Sequence, residues 1–162
     1  MGDRTYQQAT VWQCPEDLAR QVAEILGEYS NDHVDTTTAL GIGSVYYMEE
    51  GSLGTAEETA RAIVELEAAI VAETSEDPKY EYLGLHCVVL GGEVSSMPCD
   101  SDGEDLVFAI DLDQILAADG LSASERLARI EQLAQVARRA ALREAKGTGE
   151  RRTILLPAEA DD

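Results

Sequence analysis

The chain is poor in cations. Of its 162 residues, 12 are Lys or Arg, and Lys79 and Lys146 are the two lysines, while 32 are Asp or Glu. Direct binding of nucleic acid or of an anionic membrane needs a surplus of Lys and Arg on the contacting face, so neither is expected as a partner. Cysteine is scarce and odd in number: Cys14, Cys87 and Cys99. That fits a reducing compartment better than the paired framework of a small secreted protein, with the thiols packed as small apolar groups. The longest apolar stretches, such as Leu85 to Leu90, are far too short to cross a bilayer, and Met1 to Thr5 has neither the basic run nor the apolar core of a signal peptide. A cytoplasmic protein is expected.

What is present is acid, unevenly placed. Residues 1 to 120 hold 25 acids against four bases, Arg4, Arg20, Arg61 and Lys79, whereas residues 121 to 162 hold 7 acids against 8 bases. An anionic body is thus joined to a nearly neutral helical segment, and self-repulsion on this scale destabilises a compact state unless something compensates it. The apolar fraction of 44% is that of ordinary globular proteins, so folding is expected despite the charge.

Along the chain, Tyr6 to Gln13 alternates as a strand. Pro15, Glu16 and Asp17 open a helix whose face is Leu18, Val22, Ile25, Leu26 and Tyr29. Thr36 to Met48 is strand-like, with Gly41 and Gly43 marking a bend or a split into two strands. Thr55 to Glu58 has capping-box spacing, and the second helix is expected to run to about Thr74 with Ile63, Leu66 and Ile70 inward. Tyr80 to Leu90 reads as a central strand, Gly91-Gly92 as a hairpin turn and Glu93 to Met97 as its return. Leu106 to Leu112 reads as a last strand and Asp113 to Gly120 as a short helical turn. Ser122 to Glu125 is a second capping box, opening a long C-terminal helix of about 122–146. The fold class expected is therefore α+β: a mixed or mostly antiparallel sheet of four to five strands with helices on one face, ferredoxin-like if Thr36 to Met48 splits. A single domain of 1–146 is followed by a loose tail, 147–162.

No motif of catalytic or metal-binding specificity emerges. His86 and Cys87 adjoin on a strand and point to opposite faces, and no zinc-type spacing occurs. The acidic turn from Pro98 to Asp105 fails the calcium-loop register, because Gly103 at the sixth position would put Pro98 first and Ala109 twelfth. Cys14 sits at a strand-to-helix junction that can favour thiolate, but Glu16 and Asp17 oppose this. No catalytic, metal or cofactor residue is therefore assigned.

The acids at expected surface positions, Glu49, Glu50, Glu57, Glu58, Glu65, Asp100, Asp102, Glu104 and Asp105, form the candidate partner-binding set. Carboxylates spaced along a helix can stand in for phosphates before a basic cleft. In charge, not in motif, the chain resembles DNA-mimic inhibitors, nuclease immunity proteins and anti-defence proteins. The expectation is a non-enzymatic protein that blocks a basic, nucleic-acid-binding protein surface. Two alternatives stand beside it: a small α+β enzyme or ligand-binding domain using Cys14 or His86 near the Gly41 to Gly43 region, and an acidic structural domain that forms a homodimer through the C-terminal helix.

Overall fold

A computed structural model describes residues 4–80, 82–148 and 151–157 of the chain. The fold is α+β, built on β1 (Arg4–Gln13), α1 (Ala19–Ile25), β2 (Ala39–Ile42), β3 (Val45–Ser52), α2 (Thr55–Val64), β4 (Val71–Glu76), β5 (Gly84–Leu90), β6 (Glu93–Cys99), α3 (Ala109–Ala117), α4 (Ala123–Leu133), α5 (Val136–Thr148) and β7 (Arg152–Leu155). The sheet has seven strands rather than four or five, in the order β6-β5-β4-β1-β2-β7, with β3 also paired to β1. All pairings are antiparallel except the single Val11–Ile42 bridge between β1 and β2. The segment from Thr36 to Met48 does split, at Gly43, which adopts φ +77° and donates its N–H to the Val11 carbonyl at 2.8 Å. The chain order through β4 is βαββαβ, but β2 departs from ferredoxin-like pairing: it touches β1 through that one bridge and pairs along its length with β7.

Four local expectations are corrected. The second helix stops at Val64, and Val71–Glu76 is a strand in which alternate side chains, Ala72, Thr74 and Glu76, are buried. Nothing in Glu65 to Ile70 resembles a break, since Leu66 and Ile70 continue the helical spacing of Ile63; competition from the antiparallel partners β1 and β5 decides the outcome. The Thr55 capping box does not form. Gly54, at φ +94°, takes the cap position, and the buried Glu76 carboxylate accepts its N–H at 3.0 Å, supplying negative charge to the positive end of α2. Leu106 to Leu112 is not a strand but leads into α3, and the helix expected over 122–146 breaks at Gln135, which adopts φ +50°. The Ser122–Glu125 capping box and the Gly91-Gly92 hairpin turn are both present. Within the segment read as a loose tail, Arg152–Leu155 adds β7, with Ile154 buried; residues 149–150 and 158–162 lie outside the described residues.

Helices also occupy both sides of the sheet, not one. On the first side, α1 and α2 cover Ala9, Val11, Ala72, Cys87 and Val89, and the main core is formed with Val22, Leu26, Leu40 and Ile63. Because strand side chains alternate, Trp12, Val71, Val88 and Leu90 point to the second side, where they meet Leu142 and Ala145 of α5. The outer edge of β6 is covered: Gln135 Nε2 donates to the Ser96 carbonyl at 3.0 Å and the Leu106 N–H to that of Pro98 at 2.8 Å.

Candidate functional site

The two sides of the sheet treat charge differently. On the α1–α2 side the outward positions carry Glu24 and Glu28 on and just after α1, and Glu57, Glu58 and Glu65 on α2 and its end. The 3-10 turn before α1 adds Glu16 and Asp17. Arg20 of α1 lies among them, beside Glu24. Arg61 pairs with Glu57 at 2.7 Å, and Arg152 reaches Glu16 at 3.3 Å. Glu49 and Glu50 are exposed on β3. Of the residues named from sequence, the structure therefore gathers Glu57, Glu58 and Glu65 on one helix, beside acids of α1 that the sequence reading left out.

The acidic turn lies elsewhere. Asp102 and Glu104 are exposed, but the Asp100 carboxylate accepts the N–H groups of both, each at 2.9 Å, and so closes its own loop. Asp105 is turned to the second side of the sheet, its side chain only 10% exposed. Its carboxylate is occupied within the fold.

There Asp105 joins an ion-paired chain. His86 on β5 gives Nδ1 to Asp105 Oδ1 at 2.7 Å and Nε2 to Glu73 Oε1 on β4 at 2.8 Å. Glu73 Oε2 accepts Trp12 Nε1–H from β1 at 2.6 Å and pairs with Lys146 Nζ from α5 at 2.6 Å. Arg139 Nε of α5 reaches Asp105 Oδ2 at 3.2 Å, and the Lys146 ammonium sits 5.1 Å from the centre of the Trp12 ring. Burial alone would push the Glu73 carboxyl up, yet the hydrogen bonds from His86 and Lys146 outweigh it and bring the carboxyl down to about 2. Burial likewise opposes charging of His86, but its bonds to Glu73 and the charge of Asp105 raise it above its ordinary value. With both ring nitrogens donating to carboxylates, His86 is an imidazolium with no lone pair left to take a proton. The chemistry of this arrangement is a clasp: it pins the basic α5 across three strands.

Other nucleophile and ligand candidates are similarly placed. Cys14 is buried, and burial followed by the charge of Asp17 pushes its thiol up to about 11, so it stays protonated. Cys87 and Cys99 are buried free thiols, while His33 is exposed in a turn held by the Asn31 side chain. Near Gly43, an open groove of about 500 Å³ is lined by Tyr6, Tyr47, Asp32, Glu49 and Arg151 among others, and Tyr47 O–H donates to Asp32 at 2.8 Å. Among the described residues, no group of three or more His, Cys, Asp or Glu is arranged to hold a metal ion, and no helix is long and apolar enough to cross a membrane.

Sequence reasoning missed Glu73, Arg139 and Lys146 as members of one cluster. The available signals were the alternation of Val71 to Glu76 and the spacing of Arg139, Leu142 and Lys146, which puts all three on one helix face. No protein-family model, curated protein or solved structure matches this chain.

Proposed function

We propose that this chain is a non-enzymatic, cytoplasmic binding protein whose acidic α1–α2 face occupies a basic, nucleic-acid-binding surface of another protein. It would act as DNA-mimic inhibitors, nuclease immunity proteins or anti-defence proteins do. One observation carries the reading: Arg138, Arg139 and Lys146 of the C-terminal segment are committed to the opposite side of the sheet, in the clasp and at the β6 edge, while Arg152 reaches Glu16, so that among the described residues the acids of α2 have Arg61 as their paired cation. The field on that face is left to steer a positively charged partner, giving fast and salt-dependent association.

Glu57, Glu58 and Glu65 form the centre of the proposed contact, with Glu49 and Glu50 on β3 and the exposed Asp102 and Glu104 as further acids. Asp100 and Asp105 act within the fold. Neither His86 nor Cys14 offers a free base or a thiolate, which favours binding over catalysis.

The test is retention of host proteins on the immobilised chain at low and high salt, beside a Glu57→Gln/Glu58→Gln/Glu65→Gln variant. A basic nucleic-acid-binding protein should be held at low salt, released at high salt and lost from the variant. Retention of no basic protein, or retention indifferent to salt and to the three substitutions, rejects the reading.

A further inference from the structure

Between β6 and α5 the chain forms an arm that the rest of the fold leaves largely uncovered. Helix α3 carries Ile110, Leu112, Ile115 and Leu116 against two acids, yet none of its residues is buried, and none of α4's is either. A helix so apolar belongs in an interior or at an interface. Here Phe108 is 48% exposed, Ile110 65%, Leu116 59% and Leu127 57%.

Where the arm meets β6 there is a groove of about 260 Å³, its lining including Met97, Pro98, Leu106, Val107, Phe108 and Leu133. The one charged side chain in that lining is Asp111. The exposed acids Asp102 and Glu104 immediately precede the groove segment in the chain. Of the cations that follow it, Arg126 bonds the Ala118 carbonyl at 2.9 Å, Arg138 bonds Ser95 Oγ at 2.7 Å and the Glu93 carbonyl at 2.6 Å, and Arg139 pairs with Asp105, while Arg129 is exposed on α4. An apolar floor is thus combined with carboxylates.

We infer that this groove receives a basic amphipathic helix of the protein partner, with Phe108 and Leu133 against its apolar stripe and Asp111 meeting its Lys or Arg. The inference rests on the proposed binding of a basic protein and adds an apolar anchor to it, so that recognition is not set by charge alone. A second copy of this chain fails the charge condition, because its net −20 would bring like charges together.

Two synthetic peptides of about five helical turns and identical Leu/Lys composition test it, one with Leu at helical spacing and one permuted to abolish the stripe. Their affinities are measured by fluorescence anisotropy at two salt concentrations, for the full chain and for Phe108→Ser. Circular dichroism verifies that the variant is folded, and sedimentation without peptide gives the oligomeric state. The amphipathic peptide should bind about tenfold tighter than the permuted one, and Phe108→Ser should abolish that advantage while preserving the salt dependence. Equal, salt-sensitive binding of both peptides overturns the groove and leaves the acidic face standing. An advantage that survives Phe108→Ser also overturns it, as does a dimer that Phe108→Ser dissociates. Failure of the permuted peptide to bind at low salt counts against the acidic-face reading itself, whatever the amphipathic peptide does.

Discussion

The helices on the two sides of the sheet are held by different forces. Beneath α1 and α2 lies a continuous apolar core in which Leu26, Leu40 and Ile63 are wholly buried. Beneath α5 lies a small apolar cluster, Leu142 on Val71 and Val88, bordered by Trp12 and the Glu73–His86–Asp105 chain. Where apolar area holds a helix down, its outward positions are free to accumulate like charge. Where charge does the holding, the same groups are neutralised in the act. Glu73, His86 and Asp105 are thus spent within the fold, whereas Glu58 and Glu65 on α2 and its end stay exposed.

Removing apolar area from the first side should have the greatest effect. Ile63→Ala is expected to cost about 3 kcal/mol in urea unfolding, through lost burial and the cavity left behind. A loss below about 1 kcal/mol would mean that the core is not what holds the acidic helices.

The clasp should give way locally and at a smaller cost. Glu73→Gln is expected to lower stability by about 2 kcal/mol, with amide exchange accelerated in α5 and unchanged in α2. Trp12, the one tryptophan of the chain, reports the event by fluorescence. Glu73 is lowered from 4.5 to about 2, so its contribution is complete above pH 4.5 and declines as pH falls toward 2. His86 is raised from 6.5, so its contribution is complete below pH 6.5 and is lost as pH rises through its higher folded value. The Trp12 signal should be steady between these limits and change outside them, and Glu73→Gln should abolish the acid limb and move the alkaline limb to lower pH, because the bond that raises His86 goes with it. A pH-independent signal would remove the clasp from the comparison.

On the outer surface of α2, Arg61→Ala deletes an exposed pair with Glu57 and should change stability by about 0.3 kcal/mol, less in salt. Its effect belongs in kinetics: association with a cationic peptide should quicken. A destabilisation well above 1 kcal/mol would show that this surface is structural after all.

Much of the architecture follows from local signals. Tyr6 to Gln13, the Gly91-Gly92 turn and the Ser122 cap each combine periodicity with a residue type that few other conformations accept, and each is found as expected. Glu65 to Glu76 was illegible for the opposite reason: good helix formers keep an apolar spacing of three and four through a real helix end, and the strand exists because β1 and β5 are there to pair with it. Missing β4 concealed the clasp, since Glu73 on a helix could not be placed beside His86. Asp105 was visible as an acid in an acidic turn, but its partners lie 19 and 34 residues away in sequence, at His86 and Arg139. The acids of α2 were legible because solvent-facing positions on an amphipathic helix need no partner to identify them.

Gln135 closes one margin of the sheet with a single amide, and it stands at the positive-φ break where α4 gives way to α5. A chain shortened before this point would lose more than a helix. It would bare carbonyls on the β6 edge and strip Glu73 and Asp105 of their cations together, leaving an open strand edge able to recruit further strands. The residues from Gln135 onward thus act as a guard on the β6 edge for a body whose surface suits it to other company.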